Sequence, residues 1–296
     1  MRGRVSMKPL KYGPITLSPL TGFIGAEVES GAHIGALDDE TFSHLRQAWV
    51  DWKVLFFRNQ HDVTTPEHIA FGRRFGELEI HPFLPNNGHP EIVVLDTAGD
   101  GPSRAEAWHT DVSFRESPPD GSILRGCILP EVGGDTLWAD MEVAYDLLDD
   151  KTRDQIDGMT ATHSIRNTFG RRLTPEQLEE KLVEFPDQHH PLVRVHPETG
   201  RRSLYVNRPF VTHIDGLEKD ESDRLLQRLL RFPENVSILC RFRWKPGSFA
   251  MWDNRSTQHA AAQDFGDVRR RMERVTLLGS KPFGPNDTRE KSLLSA

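Results

Sequence analysis

The chain reads as a mainly β protein with peripheral helices, on three observations. Short apolar, β-rich runs recur along its whole length at 54–58, 92–96, 122–129, 136–139, 192–196, 203–206, 236–244, 248–252 and 272–278, with turn residues between them. Helical periodicity is confined to a few segments. No internal repeat, low-complexity tract or Pro/Ser-rich linker divides the 296 residues, so the 20 prolines and 23 glycines read as turn punctuation within one domain. That many short strands predicts a sandwich or barrel. Residues 1–10 read as a loosely ordered extension.

Each helix has its own signal. Phe42, Leu45, Trp49 and Trp52 recur at three- to four-residue spacing behind the acidic start Asp38-Asp39-Glu40. Thr65-Pro66-Glu67 opens a second helix. Thr174-Pro175-Glu176-Gln177 has capping-box form with proline at the first helical position, and 215–230 carries Leu217, Leu225, Leu226, Leu229 and Leu230 for an apolar face.

Charge excludes some partners. Lys and Arg total 37 against 44 Asp and Glu, a net charge of −7 that offers no general attraction to nucleic acid or an anionic membrane. No apolar run reaches the roughly 18 residues of a membrane span, and no apolar stretch follows the basic start. Cys127 and Cys240 lie in apolar runs, where a free thiol behaves as a small hydrophobe, which fits a reducing cytoplasm.

Chemistry concentrates at Trp108-His109-Thr110-Asp111. In a strand, residues i and i+2 share a face, so His109 and Asp111 can offer an imidazole and a carboxylate to one metal ion. With 13 histidines a chance His-x-Asp pair is unsurprising, and the chain holds a second, His213-Ile214-Asp215, which its polar context marks as a loop. The run 251–259 supplies a third ligand candidate, His259. Two His and one carboxylate on one face of an octahedron leave the opposite face open, the arrangement of non-haem Fe(II) oxygenases. Downstream, Arg270, Met272 and Arg274 would share one strand face, placing two guanidiniums in one interior. Two buried arginines require two anions.

Four motifs together resemble the Fe(II)/2-oxoglutarate-dependent taurine dioxygenase family: Trp-His-Thr-Asp-Val-Ser-Phe at 108–114, Gly-Gly-Asp-Thr-Leu-Trp at 133–138, Trp-Asp-Asn-Arg-Ser-Thr-Gln-His at 252–259 and Arg-Arg-Met-Glu-Arg-Val-Thr at 270–276. The resemblance runs from about Gly22 to Phe283. It implies a double-stranded β-helix, or jelly roll, with His109, Asp111 and His259 on Fe(II). It assigns the distal carboxylate of 2-oxoglutarate to Arg270, supported by Thr136, with O₂ as the other co-substrate. It implies hydroxylation of a substrate C–H coupled to release of succinate and CO₂, and a homo-oligomer, dimer or tetramer. Retention of Asp111 argues against the related halogenases.

The same resemblance places a sulfonate or sulfate on Arg274, His81 and the backbone N–H of Val112, with Phe169 and Phe210 as aromatic walls. Taurine, converted to aminoacetaldehyde and sulfite, is the leading substrate. The amine end fits less well, because Leu84 and Ala105 stand where taurine-specific relatives carry Tyr and Asn. Longer alkanesulfonates, alkyl sulfates and aryloxyalkanoates of the same superfamily remain alternatives. An alternative of another class is a jelly-roll metal- or ligand-binding protein without turnover, including a zinc site, although zinc leaves the two inward arginines unexplained. The polar segment 166–179 reads as a lid.

Overall fold

The computed structural model describes residues 9–81, 84–98, 106–285 and 287–289. Its N-terminal third holds β1 (Leu10–Tyr12), β2 (Ile15–Pro19), β3 (Ala26–Ser30), α1 (Asp39–Trp52), β4 (Val54–Phe57), α2 (Thr65–Arg73) and β5 (Val93–Asp96). The middle holds β6 (Gly121–Ile128), β7 (Thr136–Asp140), α3 (Met141–Asp146), α4 (Asp150–Ile156), β8 (Thr160–His163), α5 (Pro175–Glu184), β9 (Gln188–Pro191), β10 (Val193–Val195), β11 (Arg202–Leu204) and β12 (Val211–Ile214). Then come α6 (Lys219–Leu229), β13 (Leu239–Phe242), β14 (Phe249–Asp253), β15 (Thr257–Ala261) and β16 (Arg271–Leu277).

Eight strands form one sheet in the order β1-β2-β3-β4-β14-β6-β16-β5, antiparallel apart from the β3–β4 pair. Three strands, β13-β7-β15, form a second sheet, and β12-β8-β9 a third. The mainly β expectation is therefore met.

Strand alternation shows how the layers are held. In β4, Leu55 and Phe57 join a core shared with Leu45 and Trp49 of α1, whereas Val54 and Phe56 join Trp138, Phe242 and Trp252 between the large and the second sheet. In β16, Val275 and Leu277 lie on the helix side and Met272 on the inter-sheet side. Arg274 has the parity of Met272, so the strand directs it between the sheets. Glu273 is buried as well as Arg274, accepting from Asn87 Nδ2 at 3.0 Å and Arg271 Nη2 at 2.9 Å, so of the basic run only Arg269 is exposed.

The helix signals hold at α1, capped by Asp38 accepting from Thr41 N at 2.7 Å, and at the Thr64 and Thr174 capping boxes. Several expectations need correction. The helix expected from 215 begins at Lys219, because Asp215 accepts hydrogen bonds from Thr160 and Thr162, both at 2.6 Å. The run from 236 opens as a 3₁₀ turn, Val236–Ile238, before β13. His213 is no loop residue but part of β12, paired with Thr162 of β8. Cys127 is exposed and only Cys240 is buried. Helices α3 and α4 and strands β1–β3, β8, β9, β12 and β15 were not expected. Ala105 and residues 1–8 lie outside the described residues. Among the described residues no helix is long and apolar enough to cross a membrane.

Candidate metal centre and anion pocket

His109 and His259 are brought together by backbone. Each donates its N–H to the other's carbonyl, at 3.0 and 2.9 Å, and their rings lie 4.1 Å apart between centroids. His259 belongs to β15, whereas His109 forms only this bridge, and the strand expected through Asp111 is absent. The reason is a competing partner. Buried Asn254 accepts from Asp111 N at 2.9 Å and donates to the Asp111 and Pro119 carbonyls at 3.2 and 2.9 Å, so the backbone of Asp111 is tied to the β14–β15 turn. The chain turns there, with Val112 at φ 49. A β-branched residue in the left-handed region costs about 1–3 kcal/mol and marks a position held by its surroundings.

The turn aims Asp111 at both histidines. Its Oδ1 lies 3.7 Å from His109 Nε2 and 3.9 Å from His259 Nε2, and one ligand atom from each residue falls within 4.8 Å of the others. His109 Nδ1 is 2.8 Å from the Ala107 carbonyl, which fixes the tautomer with Nε2 free as a ligand. Burial pulls both histidines below their ordinary range and keeps them neutral. Burial pushes the Asp111 carboxyl up, but Arg274 and then the two histidines outweigh it and hold it well below the usual carboxylate range. Two neutral imidazoles and one carboxylate fit a divalent iron ion.

Arg270 sits just ahead of β16, 7% exposed. Its Nε donates to the Gly134 carbonyl at 3.1 Å and Nη2 to Thr136 Oγ1 at 3.5 Å, while Trp244 Nε1 donates to the same hydroxyl at 3.0 Å. Gly134 has φ +70 and a Cβ there would lie 3.2 Å from Arg270 Cδ, so glycine lets the guanidinium pass. Among the described residues these side-chain hydrogen bonds reach neutral oxygens, and burial lowers the Arg270 guanidinium to about 10. A buried cation so placed fits a carboxylate ligand such as that of 2-oxoglutarate.

Arg274 Nη1 donates to Asp111 Oδ1 at 2.7 Å. Burial and then Arg274 hold His81 down to about 3, so its ring is neutral. The His81 ring lies 6.3 Å from Phe169, which stacks with Phe210 at 6.5 Å. Phe114 meets Phe169, Phe185 and Phe210 at 5.9, 5.8 and 5.2 Å, and Leu178 and Leu182 of α5 pack on this group. His81 thus links the charged residues to an apolar wall. Leu84 is half-buried.

Of the sequence-selected residues, His109, Asp111, His259 and Arg274 form one contact network with Val112 next in the turn, Arg270 and Thr136 form a second, with Thr136 on the strand paired to β15, and His81, Phe169 and Phe210 form a third. The sequence reading missed Asn254, Ser122, whose Oγ is 3.2 Å from Asp111 Oδ2, Trp244, and the pair of buried Glu79 with half-buried Arg115 at 2.8 Å. Only Asn254 carried a signal, as a polar residue inside the 252–259 motif.

Residues 16–276 match the taurine catabolism dioxygenase TauD, TfdA family. The chain belongs to that family. It is 39% identical over 292 residues to an alkylsulfatase of Acinetobacter baylyi, covering 95% of this chain and 90% of the relative. It is 36% identical over 278 residues to an alpha-ketoglutarate-dependent sulfate ester dioxygenase of Pseudomonas putida, covering 91% of each. A crystal structure of a taurine dioxygenase from Burkholderia xenovorans superposes with a TM-score of 0.79 at 38% identity, over 93% of this chain and 92% of the other. The fold of this TauD-family chain is the jelly roll. It is an enzyme, a dioxygenase that uses Fe(II), 2-oxoglutarate and O₂.

Proposed function

We propose that this dioxygenase oxidises the carbon bearing a sulfate or sulfonate head, with alkyl sulfate esters its best substrates. The observation that carries this reading is that buried His81 lies within the electrostatic reach of Arg274 and 6.3 Å from Phe169 of the Phe169–Phe210 wall, so charged and apolar groups meet at one residue. In this reading His109, Asp111 and His259 hold iron, Arg270 and Thr136 hold 2-oxoglutarate, and Arg274, His81 and the Val112 N–H hold the head. Bound iron supplies O₂-dependent hydroxylation, coupled to decarboxylation of 2-oxoglutarate.

The protein's part is placement. A sulfate presents three terminal oxygens, and two side-chain donors with one amide fix its orientation, each charge-assisted bond contributing about 1.5–3 kcal/mol. The phenylalanines exclude water and align the chain so that the carbon next to the ester oxygen faces the metal side. Hydroxylation there gives an adduct with hydroxyl and sulfate on one carbon. The hydroxyl proton leaves, a carbonyl forms, the C–O bond to sulfate breaks, and aldehyde and sulfate are released. The same step on an alkanesulfonate breaks C–S and releases sulfite.

Both curated relatives quoted above act on sulfate esters by name, which supports this order. Taurine stands second, supported by the Burkholderia structure. Steady-state kinetics on taurine, hexanesulfonate and a series of alkyl sulfates checks the order, with kcat/KM rising along the alkyl sulfate series and lowest for taurine. A taurine kcat/KM above every alkyl sulfate contradicts it.

A further inference from the structure

Glu79 is 2% exposed and lies within the electrostatic reach of Arg115, Arg274 and Asp111. Its backbone N–H donates to the Thr276 carbonyl at 2.8 Å, two positions after Arg274, and it lies two positions before His81. Its Oε1 pairs with Arg115 Nη1 at 2.8 Å, and Arg115 N in turn closes the turn carrying Val112 by donating to the Val112 carbonyl at 3.1 Å. The pair therefore straps the His81 segment to the turn that supplies the Val112 amide. Glu79 Oε2 and the Nε atoms of Arg115 and Arg274 are all buried without a hydrogen-bond partner among the described residues. The two Nε–H groups are donors that an anionic head can occupy, whereas Glu79 Oε2 is an acceptor that such a head can only repel.

The charges can be counted. Two arginines, Arg115 and Arg274, meet two carboxylates, Glu79 and Asp111. With Asp111 committed to the metal and Glu79 to Arg115, one uncompensated guanidinium faces the head group, and His81 adds no charge. That balance suits a head carrying one negative charge.

We propose that Glu79 is the residue that makes the pocket selective for singly charged sulfate and sulfonate heads against doubly charged phosphate and phosphonate heads. It acts by cancelling Arg115 and by repelling the second charge of a dianion in a site with little water. Sulfonate and phosphonate have nearly the same shape, so donor geometry alone separates them poorly. The inference rests on the head-group assignment proposed above.

The test is anaerobic calorimetry on the full chain loaded with Fe(II) and 2-oxoglutarate, titrating hexanesulfonate and hexylphosphonate at a pH that keeps the phosphonate doubly ionised. The wild type should prefer the sulfonate, and Glu79→Gln should narrow the ratio of the two dissociation constants by about ten- to a hundredfold, chiefly through tighter phosphonate binding. Adding Arg115→Gln to Glu79→Gln removes the paired charge and should restore the wild-type ratio, which a merely structural role would not do. Wild-type sulfonate binding with a ratio unmoved by Glu79→Gln overturns the role of Glu79 alone. Wild-type protein that binds neither ligand overturns the head-group assignment and the inference with it.

Discussion

Arg274 Nη1 donates at 2.7 Å to Asp111 Oδ1, the same oxygen that lies 3.7 Å from His109 Nε2 and 3.9 Å from His259 Nε2. The proposed head-group arginine and the proposed metal ligands are thus one electrostatic unit. A substrate head drawn to Arg274 is brought beside the oxygen that faces the metal, which places its first carbon near the reacting centre.

Removing Arg274 should therefore act on the sulfate and little on 2-oxoglutarate. Arg274→Ala should raise KM for an alkyl sulfate by about tenfold or more, the loss of a charge-assisted bond worth about 1.5–3 kcal/mol, while KM for 2-oxoglutarate stays near wild type. Arg270→Ala should do the reverse. Initial-rate kinetics varying each co-substrate separates the two, and the opposite pattern means that the arginines have exchanged roles.

Asp111→Asn keeps the side-chain volume and removes the charge. Fe(II) affinity should fall by at least about a hundredfold, more than the loss of an outer partner costs, with the circular dichroism spectrum unchanged. Calorimetric titration of Fe(II) under anaerobic conditions reads the affinity directly. Wild-type affinity in this variant would remove Asp111 from the metal site.

Asn254 tests the clamp. Asn254→Ala leaves the buried backbone N–H and carbonyl of Asp111 without their partner, each unsatisfied group costing about 1–3 kcal/mol. Urea unfolding should show a loss of about 2–5 kcal/mol, and Fe(II) affinity should drop about 10- to 100-fold as the turn loosens. A stability loss with unchanged Fe(II) affinity would mean that the turn is held by other contacts.

Buried His68 sets an acid limit on the fold. Its ring packs edge-on against Phe249 with Nε2 3.1 Å from the Ile123 carbonyl, and burial pulls its pKa from 6.5 to about 3. The folded pKa lies below the unfolded one, so the contribution is present above pH 6.5 and is lost as pH falls toward 3. His68→Phe should make the acid slope of unfolding free energy shallower by about 1.4 kcal/mol per pH unit in that window. Urea melts across pH read the slope, and an unchanged slope would mean that His68 is already protonated in the fold.

Much of this was legible in the sequence for identifiable reasons. Strands such as β4 and β14 are buried on both faces and show as apolar runs, and capping boxes at Thr64 and Thr174 are local. What stayed hidden depends on distant partners. Strand β15, which carries His259, contains Gln and His between small residues because it packs beside the site, so no β-rich pattern announces it. Asp111 was placed in a strand because spacing alone cannot show that Asn254, 143 residues away, captures its backbone. Nothing local in the sequence marks Glu79 or Arg115, because their pairing joins segments 36 residues apart.

Head-group-directed hydroxylation of an alkyl sulfate yields succinate, sulfate and aldehyde from one turnover. The most direct measurement is one aerobic incubation with Fe(II), 2-oxoglutarate and hexyl sulfate in which succinate, sulfate and hexanal are all quantified. The three should form in equal amounts, with succinate formation stimulated by the sulfate ester. Succinate formed without sulfate or aldehyde, or no stimulation by hexyl sulfate, would contradict it.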